Sequence, residues 1–265
     1  MKFLEMALCP LVPLLVAVRS WSPPCTVAVA SAALTSRGVG LATARRCASS
    51  RATAASSSMA ALASRVANAV SARRVHVEPM FLSAEALAAA RADMDRVFGH
   101  VEDQDGTPDF ESIQTDLLNP EFRQTLAPLP FAQLLSQVDE LQIALGEGTG
   151  RRFLSGGGLH LMRYPVGSKF MRHVDEDPAL YEPVRNSISF LIYLTPPDWK
   201  EEDGGTLCVF EGAADSDPRR ILPESGTLVV YDSTLEHEVL PTRRERHLVS
   251  GRFRELDEDW RRGRG

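Results

Sequence analysis

Apolar residues recur along this chain at two different intervals, and the change of interval falls near residue 150. Ahead of it, Leu87, Ala90, Met94 and Val97 stand three or four apart, the spacing of one helix face. They predict a helix over 84–98, capped by Ser83 and stopped at Gly99. Leu134, Val138, Leu141 and Leu145 predict a second helix over 131–145, with Pro128 and Pro130 barring an earlier start and Gly146 ending it. The polar stretch 100–130 between them reads as loop.

From residue 151 the period falls to two. Segments 158–164, 169–175, 187–195, 206–211, 226–231 and 246–254 alternate apolar with polar positions between Gly, Pro and Asp clusters, and each predicts a short strand. Along 187–195, Ile188, Phe190, Ile192 and Leu194 face one way and Ser189, Leu191, Tyr193 and Thr195 the other. Such a strand packs a core on one side and can present Tyr193 to a cavity. The run 200–205 (KEEDGG) is a charged hairpin tip whose glycines permit the reversal. Two helices followed by many short strands predict an α+β chain: a double-sheet, jelly-roll-like β-roll with helices packed on one sheet. No internal repeat is present.

Charge separates a leader from this body. Residues 1–77 hold nine Lys/Arg and one acid (Glu5), about +8, whereas the remainder carries about −14. The leader is rich in Ala, Ser and Arg, as organellar transit peptides are. Residues 6–18 are apolar but too short, and too interrupted by Pro10 and Pro13, for a membrane span. The expectation is a disordered or removable address for a plastid or mitochondrion, either bipartite or a plain transit peptide with an apolar start. The alternatives are the secretory pathway or ER, and an upstream extension before a true start at Met59. The predicted organisation is therefore a leader over 1–77, a helical support region over 78–150, the β-roll over 151–256 and a charged tail over 257–265. Cys9, Cys25 and Cys47 lie in the leader, so the body keeps only Cys208 and can form neither an internal disulfide nor a cysteine zinc cluster. Its acidic balance argues against nucleic acid as a partner.

The candidate chemistry sits on the strands. His173 and Asp175 are two apart, so on a strand both side chains point the same way, and His237 follows Asp175 by 62 positions. Two imidazoles and a carboxylate suit one face of a mononuclear iron(II), leaving the other face for a co-substrate and dioxygen. Arg246, nine positions after His237, offers a planar fork to the far carboxylate of a 2-oxoacid. Arg246, Leu248, Ser250 and Arg252 share one strand face. Leu161, Ile192 and Val239 are candidate apolar walls, core packing being the equal alternative.

Around these residues stand Arg163-Tyr164-Pro165, Met171-Arg172-His173-Val174-Asp175, Ile192-Tyr193-Leu194, Asp198-Trp199, Gly204-Gly205-Thr206-Leu207 with Phe210, and His237-Glu238-Val239-Leu240-Pro241. Together, over about 95 of 265 residues, they resemble the prolyl-hydroxylase branch of the iron(II)/2-oxoglutarate-dependent dioxygenases, and within it the oxygen-sensing prolyl hydroxylases. The resemblance implies a double-stranded β-helix, iron(II), 2-oxoglutarate, dioxygen and commonly L-ascorbate. It makes His173, Asp175 and His237 the iron ligands and Arg246 the partner of the 2-oxoglutarate C5 carboxylate. Tyr164, Tyr193 and Ser250 match co-substrate-pocket positions.

It also implies a peptide or protein substrate hydroxylated at proline, with a free amino acid, small metabolite or alkylated base as alternatives. Three departures touch the substrate side. The approach 166–169 is one residue shorter, Glu176-Asp177-Pro178 replaces an Asn-Pro, and Arg252 stands where the oxygen-sensing enzymes carry tryptophan. Two readings of other classes are a zinc hydrolase, which would have no use for Arg246, and a β-roll binding module without turnover.

Overall fold

The computed structural model describes residues 58–98, 111–155, 159–176, 183–212 and 217–256. The expectations for residues 1–57, for a stop at Gly99 and for the tail 257–265 lie outside the described residues. Among the described residues, no helix is long and apolar enough to cross a membrane.

The first described element falls inside the stretch 1–77 expected to be leader. Residues 58–71 are helical (α1), and Leu62, Ala63, Val66 and Val70 are buried in the core. These residues keep helical spacing inside an Ala/Ser/Arg-rich composition, and composition had hidden that stripe. A strand, β1 (His76–Glu78), follows and pairs with the sheet. Arg65 reaches back to Glu78 at 2.9 Å and ties α1 to it.

Helix α2 spans Ala84–Phe98, as its periodicity predicts. The Ser83 hydroxyl accepts from the Ala86 amide at 3.2 Å, so the cap is real. The stretch expected to be loop contains β2 (Glu111–Thr115) and a one-turn helix α3 (Pro120–Arg123). β2 carries a single apolar residue, so its place comes from main-chain pairing with its neighbour rather than from an alternating pattern. Helix α4 (Ala132–Thr149) passes the expected stop at Gly146 and ends at Gly150, which takes a left-handed φ of 69°. At Gly146 a Cβ would lie 3.3 Å from the Arg151 carbonyl, so that glycine serves close approach of the returning chain instead of termination.

The strands continue as β3 (Leu159–Tyr164), β4 (Phe170–His173), β5 (Val184–Tyr193), β6 (Leu207–Val209), β7 (Arg219–Ile221), β8 (Leu228–Asp232), β9 (His237–Val239) and β10 (Arg246–Leu256). All pairings are antiparallel and form two sheets, β1-β8-β5-β10-β3-β2 and β4-β9-β6-β7. The larger sheet buries one face against the helices through Leu159, Leu161, Ile188, Phe190, Ile192 and Val249. Its other face meets the smaller sheet through Tyr164, Leu191, Tyr193, Val229, Tyr231 and Leu248. The alternation along β5 is thus obeyed on both sides. The expected hairpin tip at 200–205 is a 3₁₀ turn, Glu201–Asp203, followed by Gly204 and Gly205 at positive φ.

Candidate metal and co-substrate site

Strand pairing assembles the site. β4 and β9 are neighbours in the smaller sheet, and His173 is the register partner of His237. Their rings therefore stack obliquely with centroids 4.2 Å apart. Asp175 lies just past the end of β4, where the Asp175 and Glu176 amides both donate to the Ser233 carbonyl at 3.0 and 2.9 Å. That anchor turns the carboxylate back to the imidazoles: Asp175 Oδ1 is 4.0 Å from His173 Nε2, and Oδ2 is 3.8 Å from His237 Nε2. One ligand atom from each residue lies within 4.8 Å of the others.

The histidines point the correct nitrogen inward. His173 Nδ1 lies 2.7 Å from the Met171 carbonyl and His237 Nδ1 lies 3.0 Å from the Leu235 carbonyl. A carbonyl can only accept, so each Nδ1 carries the hydrogen and each Nε2 keeps its lone pair. Burial pushes the His237 pKa below its ordinary value, against the pull of Asp175, and so favours the neutral ligand form. For Asp175, burial alone would raise the pKa, but the charge and hydrogen bond of Arg252 outweigh it and hold the carboxyl below the usual range. Arg252 Nη2 donates to Asp175 Oδ1, and the Tyr231 hydroxyl lies 3.3 Å from Oδ2 and 3.1 Å from His237 Nε2.

The triad forms one wall of a cavity of about 360 Å³. Arg246 opens β10 on its other side and is wholly buried, at 0% exposure. Its guanidinium carbon lies 4.8 Å from the Tyr164 ring and 5.1 Å from the Tyr193 ring. Among the described residues none of its three nitrogens makes a hydrogen bond of good geometry, nor does the Tyr193 hydroxyl, although both tyrosine hydroxyls feel its charge. A buried guanidinium without an anion is costly. Three donors aimed past two aromatic rings into a cavity form a receptor for a carboxylate, so the residues fit a 2-oxoacid co-substrate. Gly205 makes room for that side chain: a Cβ there would sit 3.0 Å from Arg246 Cδ.

Tyr164 and Ser250 line the cavity with His173, Asp175, His237 and Arg246, whereas Tyr193 lies behind the guanidinium and outside the lining. Val239 is a wall. Leu161 and Ile192, the other expected walls, face the helices instead, and Met162 and Leu191 take their places. The physical reason is register: each stands one residue from a cavity-facing neighbour, on the opposite side of its strand. Tyr231 was not singled out from the sequence, although it alternates with Val229 on the inner face of β8. The sequence places Arg252 on the Arg246 face of its strand and marks it as a departure, but its contact with Asp175 depends on two segments 77 positions apart.

Residues 159–254 match the family described as the 2OG-Fe(II) oxygenase superfamily. Over that segment, which carries the triad and Arg246, the chain is similar to the 2OG-Fe(II) oxygenases. No curated protein sequence matches it. Among solved structures, the chain is similar to a Pseudomonas putida prolyl-4-hydroxylase, with 25% identity and a TM-score of 0.60 over 74% of this chain and 100% of that one. It also shares its fold with a Trichoplax adhaerens prolyl hydroxylase in complex with a hypoxia inducible factor oxygen degradation domain peptide fragment. There the identity is 17% and the TM-score 0.60, over 78% of this chain and 94% of that one. A non-heme alpha ketoglutarate dependent epimerase from nogalamycin biosynthesis has the fold as well, at 14% identity and TM-score 0.51 over 73% of this chain and 82% of that one. The chain is thus prolyl 4-hydroxylase-like with a double-stranded β-helix core, and the family that its residues 159–254 match implies iron(II) and 2-oxoglutarate. The epimerase demonstrates that this fold alone does not name a reaction.

Proposed function

We propose that this oxygenase hydroxylates a peptidyl proline, with 2-oxoglutarate and dioxygen consumed and succinate and carbon dioxide released. His173 Nε2, His237 Nε2 and a carboxylate oxygen of Asp175 hold the iron. Arg246 receives the distal carboxylate of 2-oxoglutarate. Tyr164 and Tyr193 pack its guanidinium and keep water from it, and Ser250 offers a hydroxyl on the same wall. Bound iron supplies the oxidising power by activating dioxygen; the protein supplies orientation and a dry cavity. The observation that carries the reading is Arg246, wholly buried with three unpartnered nitrogens, facing the cavity whose other wall is the triad.

A peptide substrate is supported by the likeness to the Pseudomonas prolyl-4-hydroxylase, which extends over that whole chain. L-Ascorbate would sustain turnover by keeping the iron reduced. The basic leader supports work in a plastid or mitochondrion.

The test is anaerobic loading with iron(II) and 2-oxoglutarate, then oxygen, with succinate measured beside a panel of proline-containing peptides and free amino acids. Coupled succinate and a peptide heavier by one oxygen are expected. Equal succinate from His173→Ala would sink the oxygenase assignment of the triad. Oxygen insertion confined to a free amino acid or small metabolite would move the substrate and leave the chemistry.

A further inference from the structure

β10 presents two cations to the cavity, Arg246 near one end of the strand and Arg252 six residues on. Arg246 is unpartnered, but Arg252 is engaged: its Nη2 donates to Asp175 Oδ1. The two oxygens of that carboxylate therefore meet different surroundings. Oδ1 is held by a guanidinium. Oδ1 also lies 4.0 Å from His173 Nε2, whereas Oδ2 lies 3.8 Å from His237 Nε2 and 3.3 Å from the Tyr231 hydroxyl, a long and neutral contact beside the charged one at Oδ1. The main chain beneath is fixed too, because the Asn186 side-chain amide donates to the Asp175 carbonyl at 3.2 Å and the Glu176 carboxylate accepts from the Asn186 amide at 2.9 Å. What the backbone leaves free is rotation of the carboxylate itself, and Arg252 is the strong donor that opposes it.

We infer that Arg252 is a positioning residue for the metal centre, holding Oδ1 of Asp175 so that the carboxylate keeps one orientation between the two imidazoles and leaves Oδ2 to the metal. One-oxygen ligation matters for the reaction. Three protein atoms leave room for a chelating 2-oxoacid and for dioxygen, whereas a carboxylate binding through both oxygens would take one of those places. This inference rests on the triad being the metal site. A side chain that orients a ligand in this way typically carries about a 10- to 100-fold share of metal affinity.

The test uses the full chain with Mn²⁺ titrated calorimetrically under nitrogen, and Co²⁺ substituted for its visible absorption. R252Q is expected to weaken Mn²⁺ binding by about 10- to 100-fold and to change the Co²⁺ band positions, and R252K to return the affinity to within a few-fold of wild type. R252M retains the volume without a polar head and reads the same way should R252Q not fold. Wild-type Mn²⁺ affinity and an unchanged Co²⁺ spectrum in R252Q, or an R252K as weak as R252Q, would overturn the role. Failure of the wild-type chain to bind Mn²⁺ would instead overturn the metal reading on which the inference stands.

Discussion

Arg246 is the residue where function and stability pull apart. Its guanidinium is buried with no hydrogen-bond partner among the described residues, a cost that co-substrate binding would relieve on the proposed function. Arg246→Met, similar in length and apolar, should raise the melting temperature of the ligand-free protein. It should also weaken 2-oxoglutarate binding by about 2–5 kcal/mol, thirtyfold to several thousandfold, as loss of one partner of a buried charged pair does. Calorimetric titration in the presence of Mn²⁺, beside a thermal melt without ligand, reads both effects. A melting temperature that falls with affinity unchanged would show that Arg246 is structural. The residue type and its place after His237 were legible in the sequence. Its complete burial and lack of a partner were not, because both depend on how the two sheets close around it.

At the scale of elements, α1 carries the helix-side core into the stretch expected to be leader. Leu62 is 5% exposed and packs in the helix-side core, so Leu62→Ala should cost about 2–5 kcal/mol in urea unfolding. A chain starting at residue 58 should unfold like the full chain, whereas one starting at residue 79 should be markedly less stable, having lost α1 and β1. Equal stability of the two shortened chains would return residues 58–78 to the leader. β10 has its own constraint at Gly251, which pairs with Phe190: a Cβ there would lie 2.2 Å from the ring. Gly251→Ala forces that ring or strand to move and should cost about 1–3 kcal/mol by the same measurement. The long periodic helices were legible because their own residues bury their own stripe. β1 and β2 were not, since edge strands owe their place to a partner's main chain and need little pattern of their own.

For the whole molecule, the buried histidines set a direction for pH. Burial lowers the pKa of His160 and of His247 below the ordinary 6.5, so the folded protein resists protons that the unfolded chain accepts. Their contribution to stability is present above that value and is lost as pH falls below it, by at most about 1.4 kcal/mol per pH unit for each histidine. Chelator-treated protein melted between neutral and mildly acidic pH should show this slope, and His247→Gln should flatten it. An unchanged slope in that variant would remove His247 from the account. Metal and co-substrate bind only the folded chain, so Mn²⁺ at about one hundred times its dissociation constant should add about 2.7 kcal/mol. No shift in melting temperature with Mn²⁺ would contradict the assembled triad.

The sequence by itself determined the kinds of element, the two-faced β5 and the order His173, Asp175, His237, Arg246, because period and residue chemistry are local properties. It left undetermined which face of β3 meets the cavity, so Leu161 stood equally as a cavity wall or as core, and the structure makes it core. Tertiary structure decided the rest. The β4–β9 register brought the histidines together, the Ser233 carbonyl turned Asp175 inward, and β10 carried Arg246 and Arg252 to the same cavity as Asp175. These are pairings between segments far apart in the chain, and no local pattern encodes which strands will be neighbours.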